Sequence, residues 1–208
     1  MVTLYQNKVI DQLRDALKKK EHMVSVTVRV GQIDPLSFFV AGETLFHGQR
    51  FYWSDCFHEQ TFVGLGYAQV IKSEEKTKKR FREVEKAWQQ IVEGAFIEGE
   101  GPLMFGGFAF DPLKRSAEHW DHFPSAQFVI PKFLLTKRGE ETWLTVNVVH
   151  ESFAELEKMI DSLFSYMMKA ITMMLTLSKK RKSLAIAGFM LFVMQPISFK
   201  TEKLKKLF

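Results

Sequence analysis

Through MVSVTVRV, residues 23–30, apolar and polar positions alternate with a period of two: Val24, Val26, Val28 and Val30 share one face, Ser25, Thr27 and Arg29 the other. That alternation predicts a half-buried strand. Just before it the period is helical. Across residues 4–20, Val9, Leu13, Ala16 and Leu17 fall on one side and Asp11, Gln12, Arg14 and Asp15 on the opposite one, which predicts an amphipathic helix able to cover a sheet. The segment Gly31-Gln32-Ile33-Asp34-Pro35 then reads as a turn. RFYWS (50–54) and TFVGLGYAQVI (61–71) predict two further strands, and the polar Asp55-Cys56-Phe57-His58-Glu59-Gln60 between them predicts a hairpin or meander. From Glu74 to about Ile97 the helical period returns, with Phe81, Val84, Trp88, Ile91, Val92, Ala95 and Phe96 opposite Lys76, Lys79, Arg82, Glu85 and Gln89.

GPLMFGGFAFDP, residues 101–112, sets adjacent glycines inside an apolar run. A phosphate-cradling loop needs glycines on a tight turn that opens into a helix, usually with a lysine and a hydroxyl following. Gly106-Gly107 lacks that spacing and is followed by Phe108, Ala109 and Phe110, so the run is read as a buried strand closed by Asp111-Pro112, its glycines marking close backbone approach. After a polar loop, KRSAEHWDHFPSA, residues 128–136 and 142–149 predict two strands joined by a turn at Lys137-Arg138-Gly139-Glu140, and Phe153, Leu156, Ile160, Leu163, Phe164 and Met167 begin another helix. The sum is an α+β fold, a largely antiparallel sheet with covering helices, expected on one side of it.

From Met167 onward this order stops. The sequence becomes Met-rich and then Lys-rich, and the charge changes with it: residues 1–170 hold 21 Lys and Arg against 23 Asp and Glu, a net of −2, while residues 171–208 hold 8 against 1, a net of +7. The basic balance of the chain therefore resides in its tail, and the body carries no basic stripe for nucleic acid. SLAIAGFMLFVM, residues 183–194, is shorter than the roughly 20 residues a spanning helix needs, and an interfacial anchor over 179–194 is the lesser reading beside a poorly ordered, non-native end. Two parts are thus expected, 1–170 and 171–208. One cysteine, Cys56, excludes an intramolecular disulfide and a Cys-rich zinc site, and the first residues lack signal-peptide or transit character. The expected location is the cytoplasm.

Candidate chemistry is sparse. Cys56 precedes Phe57-His58, but no helix N-terminus is evident to lower its pKa, and it reads as a structural thiol. His119, Asp121 and His122 could offer two or three metal ligands, a weaker reading than a solvated loop. Glu74 and Glu75 beside Lys76, Lys78, Lys79 and Arg80 could form a partner-binding patch, and read better as a solvated helix start. Trp53, Trp88, Trp120 and Trp143, with Phe108 and Phe110, lack interleaved basic residues and are assigned to the core rather than to base stacking. No catalytic, cofactor-binding or metal-binding residue is assigned.

Four segments, in order, carry a family likeness: IDPLSFF (33–39), RFYWSD (50–55) leading into FVGLGYA (62–68), PLMFGGFAFDP (102–112), and HFPSAQFVIPKFLLTKRGEETWLTVN (122–147). Over about residues 1–170 the set resembles the N-terminal part of isochorismate synthases of menaquinone and siderophore biosynthesis, within the chorismate-utilising enzymes that include anthranilate synthase. The resemblance implies a scaffold half whose glycine strand belongs to the sheet. It implies, for the complete enzyme, Mg²⁺-dependent addition of water at C2 of chorismate with loss of the C4 hydroxyl, a lysine acting as base and a glutamate as acid. Those groups belong to a larger C-terminal part opening with a segment like Lys-Val-Val-Leu-Ala-Arg, to which nothing in residues 171–208 corresponds. The expectation is an inactive fragment that binds no Mg²⁺ alone, with chorismate as the complete enzyme's substrate and a catalytic C-terminal half as its contact. The alternative is a non-catalytic assembly module that pairs with a separate catalytic chain.

Overall fold

The structure, a computed structural model, describes residues 2–19, 21–57, 59–111 and 123–186. Helix α1 (Val2–Ala16), prolonged by a 3-10 turn at Leu17–Lys19, buries Val9, Leu13 and Ala16 as their spacing predicts, with Ile10 added. Strand β1 (Met23–Val30) follows. The Asp34-Pro35 pair read as a turn instead opens a short helix, α2 (Pro35–Ala41): the Asp34 carboxylate accepts the Ser37 N–H at 2.7 Å and proline occupies the first helical position. An Asp N-cap followed by Pro signals a helix start as well as a turn.

Strands β2 (Arg50–Ser54) and β3 (Gln60–Ser73) form the expected antiparallel hairpin. Asp55 shapes its turn, accepting N–H bonds from Glu59 at 2.9 Å and Gln60 at 3.3 Å. Helix α3 (Lys79–Glu93) stops at Gly94, so Ala95 and Phe96, expected on that helix, belong to strand β4 (Ala95–Glu98). Then come β5 (Phe105–Phe108), β6 (Ala126–Arg138), β7 (Glu141–Val149) and α4 (Phe153–Ile186). At the β6–β7 turn Gly139 takes a positive φ of 56°, which glycine adopts without strain.

The sheet runs β2-β3-β6-β7-β1-β4, with β5 also paired to β6. Among the described strands only β4 lies parallel to its neighbour, β1; the other pairings are antiparallel. The fold is therefore α+β with a largely antiparallel sheet. Its helices, however, lie on both faces rather than one. Alternation along β1 explains this: Val24, Val26, Val28 and Val30 join α1, α2 and α4 in one core, while Met23 joins Ile71, Ala126, Ile130 and the Val84 and Ile91 side chains of α3 in another.

The glycine strand departs from expectation too. Instead of a buried strand, β5 is a four-residue strand in which Gly106 and Gly107 are exposed, and Phe110 beyond it is fully exposed. Close backbone approach occurs at Gly106, where a Cβ would collide with the carbonyl oxygen of Gln127; at Gly107 it would meet nothing.

The chain divides into two compact units, Met1–Ile171 and Thr172–Phe208, and α4 runs without a break past the expected boundary to Ile186. No described helix is long and apolar enough to cross a membrane. The interfacial segment weighed above extends beyond Ile186, outside the described residues.

Candidate functional site

The most chemically distinctive place in the body is the start of α3. Read back from Ile91 through Val84, helical spacing puts Arg80 on the buried stripe of this helix rather than on its solvated side, and Arg80 is 7% exposed while Lys76, Lys78 and Lys79 around it are exposed. The solvated helix start expected here therefore holds for the lysines and fails for the arginine. The guanidinium donates from Nη2 to the carbonyl oxygen of Ala109 at 3.1 Å. Its carbon lies 5.0 Å from the centroid of the Phe81 ring and 6.0 Å from that of Phe108, and those two rings are 4.5 Å apart. Nε and Nη1 are buried without a hydrogen-bond partner among the described residues.

The chain is fastened tightly around this group. The Ala109 N–H donates to the Ser125 carbonyl at 2.8 Å, and the Ser125 hydroxyl sits 2.6 Å from the Ser73 carbonyl oxygen and 2.7 Å from that of Glu75. Two nearby carboxylates have partners of their own: Glu83 accepts from the Ser73 hydroxyl at 2.5 Å, and Glu75 accepts the Thr77 N–H at 2.8 Å. Hydrogen bonds from Thr77, the backbone one foremost, hold the Glu75 carboxyl below the usual carboxylate range.

A second feature is aromatic. On the β2–β3 hairpin, Trp53 packs against Phe62 at 5.6 Å between centroids, and Phe105 of β5 reaches both Phe51 at 4.6 Å and Phe62 at 5.4 Å. Gly64 makes room for the Phe51 ring, which a Cβ there would strike. Tyr52, Trp53 and Phe57 are 44%, 49% and 79% exposed, so Trp53 is surface rather than core. Trp88 and Trp143 are half-buried, as are Phe105 and Phe108. On the same side of β1 and β7 as Met23 runs a buried polar ladder. The Ser25 hydroxyl donates to Asn147 at 2.7 Å, Asn147 donates to the Pro131 carbonyl at 2.8 Å, and Thr27 and Thr145 share a bond of 2.9 Å.

Cys56, read as a structural thiol, is exposed in the hairpin turn. His58, His119, Trp120, Asp121 and His122 lie outside the described residues. Among the described residues no three His, Cys, Asp or Glu side chains are placed to hold a metal ion, so these residues do not fit a Mg²⁺ site. A cavity of about 730 Å³ between α1 and the β6–β7 turn has a paired rim, with Arg29 2.7 Å from Glu141 and Gln32 donating to Glu140 at 3.1 Å.

Comparison with known proteins places this scaffold. The chorismate binding enzyme family model matches residues 8–190, beyond the expected boundary at residue 170. The chain is 37% identical over 161 residues to isochorismate synthase MenF of Bacillus subtilis, covering 71% of this chain and 34% of the relative. It is 29% identical over 119 residues to the salicylate biosynthesis isochorismate synthase of Pseudomonas aeruginosa, covering 57% and 24%. The solved structure of the menaquinone-specific isochorismate synthase MenF from Escherichia coli aligns with a TM-score of 0.43 at 14% identity, covering 74% of this chain and 34% of that one, too loose a match to carry a conclusion. The chain spans about a third or less of the length of the curated relatives it matches. With a family model matched over most of its length, it belongs to the chorismate binding enzyme family.

Proposed function

We propose that this chain is the N-terminal, non-catalytic scaffold portion of an isochorismate synthase, serving menaquinone or siderophore biosynthesis in the cytoplasm. The observation that carries the reading is the 37% identity with B. subtilis MenF, which spans only 34% of that relative. In the complete enzyme the chemistry would fall to residues outside this sequence: a base to activate water at C2 of chorismate, an acid to protonate the departing C4 hydroxyl, and carboxylates to hold Mg²⁺, which would supply electrostatic stabilisation. This chain's part is structural. Residues 1–170 supply the sheet and its helices, and residues 171–208 form a segment apart from that scaffold, a reading supported by the division of the chain after Ile171.

The test is direct. Purified chain incubated with chorismate and Mg²⁺, in a preparation free of host synthase, is expected to form no isochorismate above a no-protein control by chromatography. Turnover above that control would place the chemistry in these residues and overturn the reading. The exposed Tyr52, Trp53 and Phe57 favour contact with a catalytic half, whether on the same or on a separate chain. The nucleotide sequence downstream separates the two: an out-of-frame continuation encoding the catalytic part supports one broken enzyme, an intact separate gene supports an assembly module.

A further inference from the structure

We propose that the start of α3 is a receptor for a small oxyanion, a carboxylate or a phosphate, with Arg80 as its principal ligand. The inference goes beyond the scaffold reading and does not depend on it.

Three observations converge. The first is the unmet hydrogen-bonding capacity of Arg80. A guanidinium always carries its charge and presents five N–H donors, and burying a charge without pairing it is costly. Arg80 is 93% removed from solvent, yet only Nη2 has a partner, the neutral carbonyl of Ala109; Nε and Nη1 have none among the described residues. The flanking Phe81 and Phe108 rings stabilise the cation from the side and leave its in-plane donors unsatisfied.

The second is the helix terminus itself. The N-terminal end of a helix carries a partial positive charge and unpaired N–H groups, which acidic side chains usually neutralise. Here α3, fifteen residues long, has no acidic residue in its first turn, and Lys78 at the cap position makes no side-chain capping bond. Among the described residues the capping bond comes from Thr77, which accepts the Lys79 N–H at 3.2 Å. Side chains on a helix tilt toward its N-terminus, so Arg80, the second residue of α3, adds its charge to that of the helix end. The third is the local charge: exposed Lys76, Lys78 and Lys79 share this turn with Glu74 and with Glu75, which accepts the Thr77 N–H and lies near Lys79, while Glu83 accepts from Ser73, and among the described residues no carboxylate forms an ion pair with Arg80. Cations gathered at the positive end of a helix repel one another and the helix dipole. An oxyanion resolves all three conflicts by accepting from the guanidinium and drawing the lysines inward.

The probes are sodium acetate and sodium phosphate, each titrated against sodium chloride at equal ionic strength. The readouts are the Arg80 Nε–H resonance in ¹⁵N-labelled protein, assigned by its loss in Arg80→Gln, and the thermal midpoint. The expected result is a saturable shift of that resonance with at least one anion and a midpoint rise that Arg80→Lys weakens and Arg80→Gln abolishes. Saturation at lower acetate concentration identifies a carboxylate site, and at lower phosphate concentration a phosphoryl site. If neither anion moves the resonance saturably, or if the midpoint of Arg80→Gln rises as much as that of the parent chain, the proposal is overturned. Should Arg80→Gln fail to fold, the resonance in the parent chain, assigned through Arg80→Lys, decides alone.

Discussion

On the face that carries α1, α2 and α4 the sheet is closed mainly by apolar side chains, with Leu13, Val26, Phe133, Leu144 and Leu156 at most 1% exposed. On the face that carries α3 the core is small, built on Met23, Ile71, Val84, Ile91, Ala126 and Ile130, and it gives way to the Ser25–Asn147 ladder and to aromatic rings in solvent. Hydrophobic burial scales with the apolar area removed from water, so the first face supplies most of the folding free energy. The second holds what burial alone does not explain: a half-satisfied arginine, a polar ladder and exposed tryptophan. Stability and interaction are thus assigned to opposite sides of one sheet, and a partner or ligand can engage the second side without disturbing the first.

The largest effect that tests this contrast is a matched pair of truncations. Phe133→Ala removes a ring with no exposed surface from the first core and is expected to cost about 3–5 kcal/mol. Ile91→Ala, at a position 9% exposed in the smaller core, is expected at the bottom of its range, about 2 kcal/mol. Urea unfolding monitored by tryptophan fluorescence measures both. Equal losses would mean that the two faces contribute alike, and the contrast would fail.

Smaller and sharper is the comparison inside β5. Gly106→Ala forces a methyl group into the backbone of Gln127, an overpacking expected to cost about 1–3 kcal/mol, whereas Gly107→Ala meets empty space and is expected to stay within about 0.5 kcal/mol of the parent. Thermal midpoints of the two variants decide it. The reverse order would show that β5 packs by its other glycine.

How far the sequence discloses this molecule depends on whether a feature is periodic. The alternation of Val24 to Val30 and the helical stripe of Val9, Leu13 and Ala16 state their environment directly, because one repeating face must be buried. Arg80 was legible too, one helical step before Val84, but its charge argued for solvent, and residue type outweighed position. The two-sided cover was hidden for a different reason: Ser25 and Asn147 look like a solvent face until a partner 122 residues away satisfies them. Four-residue strands such as β4 and β5 are too short to show a period, and Gly94 is the sole local sign that Ala95 leaves the helix. The aromatic surface of the hairpin is likewise silent in sequence, since Trp53 alternates as a buried residue would while half of it faces water.

The smallest expected effect probes the closed face at the entry to α4. Ser152-Phe153-Ala154-Glu155 forms a capping box: the Ser152 hydroxyl accepts the Glu155 N–H at 3.3 Å, and the Glu155 carboxylate accepts from the Ser152 N–H at 3.1 Å and from its hydroxyl at 2.8 Å. Those bonds favour the ionised carboxylate, the hydroxyl bond most and the backbone bond next, and hold the Glu155 pKa below the usual glutamate value. Because the native pKa is lowered, the stabilisation is fully present above the unfolded glutamate pKa of about 4.3 and is lost as pH falls through the lower native value. Glu155→Gln, which can still accept at the cap but does not titrate, is therefore expected to flatten the acid limb of the stability curve slightly and to leave that curve nearly unchanged in shape near neutral pH. Ser152→Ala should flatten the same limb by removing the hydroxyl bond that holds the carboxylate ionised. Thermal midpoints from pH 7 down to pH 3 for the parent and both variants give the answer. If the acid limbs of all three coincide, the capping box does not couple Glu155 ionisation to the packing of α4, and even the closed face is held at this corner by burial alone.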